Sequence, residues 1–267
     1  MKDFCKKKIS ELYDLIIGVH PFNTIVSYNW IYVRNIVKWF KLYDELFKEK
    51  IIIDYGAGNA PYFSIIEKNI KEYYALDFYD NPLKENKLTK IPLNSDGSIP
   101  QILNAKANVI ISNQVIVEVE NHNLYFKEIN KISNIGTKLF LTTPFIQTLG
   151  LNDKFRVSPF YINGHLNRIG YQITDYKTAG YLFSGMALSF NMCLVLKNKY
   201  DFKFGKFEYS IVNSIVFAPI IGLINITATL LDRLVPFYRT PSNFLIIAEK
   251  ISNEPLDNII ENYDKKV

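Results

Sequence analysis

Apolar residues recur at three-and-four spacing through residues 1–50: Ile9, Leu12, Tyr13, Ile16 and Ile17, then Val33, Ile36, Val37, Phe40 and Leu42 to Leu46. This period predicts helices, which His20-Pro21-Phe22-Asn23 breaks into two runs. At residue 51 the period changes. Ile51-Ile52-Ile53-Asp54-Tyr55 is a β-branched run that ends at glycine, the pattern of a strand buried on both faces. Pro61 stands where a first helical turn tolerates proline, and residues 62–70 are the expected helix. Tyr73–Asp77 and Val109–Ser112 predict two more strands, the second followed by a helix through Tyr125, Ile129 and Ile132. Gly136 is expected to cap that helix, with a strand over Lys138–Thr143. Alternation of this kind predicts a parallel sheet with right-handed crossovers.

Beyond Pro144 the periodicity weakens. Gly150 to Tyr161 reads as a loop that begins another helix, Gly170–Tyr176 as a strand, and Phe244–Ala248 as the final strand. The chain thus divides into a helical preface (1–50), an α/β core (51–180 and 240–252), an apolar helical insertion (181–239) and a tail (253–267).

Hydrophobic residues make up 48% of the chain and charged residues 21%, which predicts a sizeable core and excludes long disorder. The net charge of +5 is modest, and Lys6-Lys7-Lys8 is the densest basic cluster, so nucleic acid is not an expected partner. Weak attraction to an anionic membrane surface stays open. Cys5 and Cys193 form no CxxC pair and the three histidines lack ligand spacing, so no metal site is expected. The first residues lack the apolar run and cleavage site of a secretory signal, which points to the cytoplasm.

Candidate chemistry begins at Gly56-Ala57-Gly58, where glycines let the chain turn sharply and let a ligand approach the backbone. Asp77 ends the next strand about twenty residues on, where a carboxylate accepts hydrogen bonds from ribose hydroxyls. The third glycine of a dinucleotide fingerprint is replaced by Pro61, so a nucleoside cofactor without phosphates fits better than NAD. Ligands of open parallel sheets bind beyond the carboxyl ends of the strands, which gathers the turn after Asp54, Asp77 and Asn113-Gln114 around one crevice. As helix-start residues, Asn113 and Gln114 have an alternative capping role.

Ile51 to Tyr62, with its Gly-Ala-Gly-Asn-Ala-Pro-Tyr turn, resembles motif I of class I S-adenosylmethionine-dependent methyltransferases, of the methyltransferase type 11-like kind. Asp77-Phe78, Ile91-Pro92-Leu93, Asn108 to Val115 and Thr142-Thr143-Pro144-Phe145 resemble the later elements of that family, in order. Asp153 to Phe160 is similar to an element of methyltransferases associated with cell-surface sugar and lipid pathways. The resemblance implies a doubly wound, mostly parallel seven-stranded Rossmann-like sheet and S-adenosylmethionine as cofactor. It implies cofactor contacts from Asp54, Gly56, Ala57, Gly58, Asp77, Phe78, Asn113 and Gln114. The chain departs from the family in having Val117-Glu118 in place of a Glu-His pair, and Asn134-Ile135-Gly136 in place of a PGG turn.

Acceptor-side candidates are Asp153, Arg156 and Tyr161, with His165 and Glu118 as general bases if the acceptor is a hydroxyl or protonated amine. The competing reading of Asp153 and Arg156 is a pair that fixes a loop. The expected activity is methyl transfer to a small or sugar- or lipid-linked acceptor; the alternative, raised by the departures, is a catalytically silent methyltransferase-like binding module. The apolar runs of residues 181–238 leave three readings open: helices capping the acceptor side, an interfacial membrane contact that would make the protein peripheral at the inner face of the membrane, or a dimer surface.

Overall fold

The structure, a computed structural model, describes residues 2–80, 82–146, 153–196 and 210–256, with the backbone alone for residues 2–6. Its strands are β1 (Ile51–Tyr55), β2 (Glu72–Asp77), β3 (Leu83–Glu85), β4 (Leu88–Pro92), β5 (Ala107–Asn113), β6 (Ser133–Pro144), β7 (Tyr171–Ala179) and β8 (Asn243–Lys250). Its α-helices are α1 (Lys2–Ile17), α2 (Trp30–Leu42), α3 (Asp44–Phe47), α4 (Phe63–Ile66), α5 (His122–Lys131), α6 (Pro159–Arg168), α7 (Leu182–Val195), α8 (Ile211–Val216) and α9 (Ala218–Leu234).

The strands form one sheet in the order β3-β4-β2-β1-β5-β6-β8-β7. From β1 the chain winds outward through β2 and β4, then returns to β5 on the other side of β1 and continues to β6, all in parallel pairs. The winding reverses between β1 and β5, so their carboxyl ends open a crevice there. Ile52, Ile53, Tyr73, Ile110 and Ile111 are fully buried on these central strands, which explains their unbroken apolar runs.

Among the described residues the sheet has eight strands rather than the seven expected. The addition is β3, which pairs antiparallel with β4 as an edge hairpin. Every residue of β3 is exposed and every residue of β4 half-buried, so neither carries the apolar signature of a core strand. Two further expectations are corrected. The helix over residues 62–70 is the short α4, and Gly136 lies inside β6 rather than at the end of α5. There the register slips from Ala107–Ser133 to Val109–Lys138, a bulge in which Gly136 takes a φ of +89°. Of the loop expected over Gly150 to Tyr161, residues 147–152 lie outside the described residues; Ser158 caps α6 by accepting from the Tyr161 amide.

The chain forms two compact units. One comprises Phe40–Thr143, Lys154–Lys177 and Leu245–Val267 and carries the central strands. Phe40, Phe47, Tyr62 and Phe140 form an aromatic cluster in its core, with ring centroids 4.7–5.6 Å apart. The other comprises Met1–Trp39, Pro144–Asp153 and Thr178–Phe244. In it α7 packs on α9 and α1 on α8, while Ile31 of α2 meets Ala187 and Ala228. Among the described residues, no helix is long and apolar enough to cross a membrane.

Candidate active site

Asp54, next to the end of β1, has its carboxyl buried, and the Tyr73 hydroxyl donates to its Oδ2. Its Oδ1 is buried without a hydrogen-bond partner. Burial pushes this carboxyl up to about 7; the Tyr73 bond lowers it and the Asp77 charge raises it.

The chain then turns through Gly56, at φ +81°, and the amides of Gly56 and Ala57 both donate to the Leu76 carbonyl (2.8 and 2.9 Å). The Gly58 amide donates to Asp77 Oδ2 (2.7 Å), and the Phe78 amide to Asp77 Oδ1 (2.7 Å). These amides are satisfied within the protein, so the turn presents no cradle of free N–H groups for a pyrophosphate. It presents room instead: a Cβ on Gly58 would meet nothing within 4 Å. Phe78, 66% exposed, stands beside Asp77 at the same strand end.

At the end of β5, Asn113 accepts from the Thr142 hydroxyl and hydrogen-bonds the Tyr62 hydroxyl. Gln114, in the left-handed region at φ +67°, donates from Nε2 to Thr142 Oγ1 (2.9 Å) and keeps its Oε1 buried without a partner. The structure therefore brings Asp54, Gly56 to Gly58, Asp77, Phe78, Asn113 and Gln114 together at neighbouring strand ends.

The turn after β5 extends this site. A Cβ on Gly56 would lie 2.4 Å from Val115 Cγ2, so Val115 packs directly on the glycine turn. The next residue, Ile116, accepts through its carbonyl from His122 Nε2 (3.0 Å). That bond places the imidazole proton on Nε2 and leaves Nδ1 to accept from the Tyr161 hydroxyl (2.8 Å). The amides of Lys154 and Phe155 donate to the Val117 carbonyl (2.7 and 3.1 Å), and Lys154 pairs with Glu120. These bonds dock the segment before α6 onto the β5 turn. Glu120, Asn121, His122, Asn123, Phe155 and Tyr161 line an open cleft of about 440 Å³.

Of the acceptor-side candidates, Tyr161 lines this cleft. Arg156 is half-buried and donates to the Phe155 carbonyl (3.3 Å), and Asp153 is half-buried. His165 stacks on Phe126 (4.7 Å, 7°) and lies 4.7 Å from the Tyr161 ring; burial, then the Arg168 and His122 charges, lower its pKa. Glu118 is exposed and outside the cleft lining. Sequence reasoning missed His122. It lies 39 residues from Tyr161, and only the docking of α6 beside α5 pairs them.

The methyltransferase domain family matches residues 32–175, more than half of the chain. The chain belongs to this family. It is an S-adenosylmethionine-dependent methyltransferase. The fold is similar to that of the [4+2]-cyclase SpnF, at 11% identity over 84% of this chain and 82% of that one, with a TM-score of 0.52. It is also similar to a SAM-dependent methyltransferase from Archaeoglobus fulgidus, at 15% identity over 81% of this chain and 94% of that one, with a TM-score of 0.50. At such identities the likeness is one of fold. No curated protein matches the sequence.

The raised Asp54 carboxyl makes the stability of the methyltransferase depend on pH. The folded chain holds this proton more tightly than the unfolded chain, so the stabilisation is complete below about pH 4 and is lost as pH rises through about 7. Asp54→Asn removes that linkage. The stability of wild type minus that of the variant should fall by up to about 1.4 kcal/mol per pH unit in this window and level off above it. Urea melts of both proteins at several pH values check this; parallel profiles would contradict it.

Proposed function

We propose that the enzyme methylates a hydroxyl or amine of a small or sugar- or lipid-linked acceptor held in the His122–Tyr161 cleft. The observation that carries this reading is the His122–Tyr161 pair itself. It lines an open cleft and hangs from the β5 turn that packs on Gly56. Resemblance of Asp153 to Phe160 to the sugar- and lipid-pathway element supports the acceptor class, and the Phe155 and Tyr161 rings offer faces for a sugar or an apolar chain. Arg156 suits a carboxylate or phosphate on the same acceptor.

The residues present fit S-adenosylmethionine. Each oxygen of Asp77 spends one lone pair on a backbone amide and keeps one for a ribose hydroxyl. Phe78 offers an exposed ring for the adenine. Asp54 Oδ1 and Gln114 Oε1 are buried acceptors awaiting donors, which suits the ammonium of a methionine arm lying along Gly56 to Gly58, with Asn113 beside it. The sulfonium supplies an already activated methyl group, so the chain's task is alignment and disposal of one proton.

His122 is the better proton acceptor than His165 or Glu118, because its hydrogen-bond chain reaches the cleft. An acceptor hydroxyl donates to the Tyr161 oxygen, and its proton replaces the one that Tyr161 passes to His122 Nδ1. The resulting imidazolium keeps its Nε2–H on the Ile116 carbonyl. His122→Gln should lower kcat about 100-fold or more and leave S-adenosylmethionine affinity unchanged, whereas His165→Gln should leave most of the activity. Methyl transfer from labelled cofactor to a panel of hydroxyl- and amine-bearing sugars and lipids checks this. A fully active His122→Gln enzyme would overturn the assignment.

A further inference from the structure

The unit that contains α1, α7, α8 and α9 buries polar side chains beside its apolar core while it turns large apolar ones outward. On α9 the buried face includes Asn225, fully buried, and Asp232, while the outward face carries Ile220, Leu223, Ile226, Leu230 and Leu234 at three-or-four spacing. Leu223 is 66% exposed and Leu234 77%. On α7, likewise, Asn191 is fully buried while Met186 and Phe190 are more than half exposed. Most of the inward polar groups are hydrogen-bonded, although Asn191 Oδ1 is buried without a partner. Asn225 accepts from Asn191 (2.9 Å) and donates to the Ile25 and Ser27 carbonyls (2.7 and 2.9 Å). Asp232 accepts from the amides of Tyr181, Phe183 and Ser184 at the start of α7 (2.8–3.1 Å), a carboxylate on the positive end of a helix. These helices are thus held together by internal polar bonds as well as apolar contacts, and α9 turns an apolar stripe outward. A water-facing helix shows the opposite pattern.

Three cations accompany this face. Arg34 and Lys38 lie one turn apart on α2, with Arg34 stacked over the Trp30 ring at 4.6 Å, and Arg233 adjoins Leu234 at the end of α9. Burial, and then the neighbouring positive charges, lower the pKa values of Arg34 and Lys38, which places Arg233 close to both. Among the described residues none of the three forms an ion pair with a carboxylate. A second copy of this face would bring the same cations and no acid to meet them. An anionic lipid surface supplies both phosphates for the cations and an acyl boundary for the leucines.

We propose that this face docks the protein on an anionic phospholipid membrane, with headgroup phosphates on Arg34, Lys38 and Arg233 and with Leu223, Ile226, Leu230 and Leu234 entering the acyl boundary. The inference does not rest on the chemistry of the cleft. Flotation of the full chain with phosphatidylcholine vesicles, with and without phosphatidylglycerol, tests it. Wild type should float with the anionic vesicles at low salt and far less with the neutral ones. Leu223→Asp/Leu230→Asp should reduce partitioning about tenfold or more, and Lys38→Gln/Arg233→Gln should remove the preference for anionic vesicles. Both variants change exposed side chains, so unchanged melting temperature and S-adenosylmethionine affinity show that fold and cofactor site are intact. The proposal is overturned if wild type fails to float with anionic vesicles or if the aspartates leave flotation unchanged. It is equally overturned if wild type is a dimer that the aspartates dissociate and vesicles do not bind it.

Discussion

Gly56→Ala is expected to be strongly damaging to both stability and activity. Two costs coincide there. The φ of +81° lies in the left-handed region, which costs an alanine about 1–2 kcal/mol. The new Cβ would also lie 2.4 and 2.7 Å from the two methyls of Val115, an overpacking that adds about 1–3 kcal/mol. Relief requires Val115 to move, and Val115 stands between Gln114 and Ile116, the residue that holds His122. A displacement of about 1 Å at the reacting groups is enough for a loss of about 100-fold in kcat/KM. The same substitution at Gly58 carries the φ cost alone, since its Cβ would meet nothing within 4 Å. Urea melts should therefore rank Gly56→Ala well below Gly58→Ala. Val115→Ala, added to Gly56→Ala, should restore part of the loss. Equal stability of the two alanine variants would show that the contact with Val115 is not the constraint.

The central sheet and the gathering of Asp54, Gly56 to Gly58, Asp77 and Asn113 at its strand ends were legible, because these residues sit on or just after strongly apolar strands. Ile51 to Ile53 and Val109 to Ile111 are β-branched because these strands are buried on both faces. Gly56, Asp77 and Asn113 stand out because they end such runs. What was not legible depends on partners distant in sequence. The β3–β4 hairpin lies at the sheet edge and is half-buried or exposed throughout, so Leu83 to Pro92 carries no periodic signal. Gly136 resembles a helix cap, yet its positive φ serves the bulge in β6. His122 lacks metal-ligand spacing and so carries no signal in the sequence, whereas its place in the proposed site comes from its bonds to Tyr161 and the Ile116 carbonyl. The apolar runs of residues 181–238 announce helices but not their orientation. Asn191, Asn225 and Asp232 argue locally against burial, and only their mutual bonds and their bonds to backbone turn them inward.

Asp77 is the residue on which the cofactor assignment turns. Its carboxylate pins the Gly58 amide and caps its own strand end through Phe78, and in the proposed site its remaining lone pairs take the ribose. Asp77→Ala removes both, so a loss of about 1–2 kcal/mol in stability should accompany the loss of binding. Asp77→Asn separates them. Its carbonyl oxygen still accepts from the Gly58 amide, which holds the turn, while the charge, the acceptor for the Phe78 amide and the lone pair beside it are lost. The asparagine variant should therefore lose less stability than the alanine variant and bind the cofactor at least about tenfold more weakly, about 1.4 kcal/mol. Isothermal titration of S-adenosylmethionine into wild type and Asp77→Asn is the most direct test of the site described here. The account predicts saturable binding to wild type and that tenfold or greater weakening in the variant. Equal affinity for the two proteins would contradict it and move the cofactor away from the ends of β1 and β2.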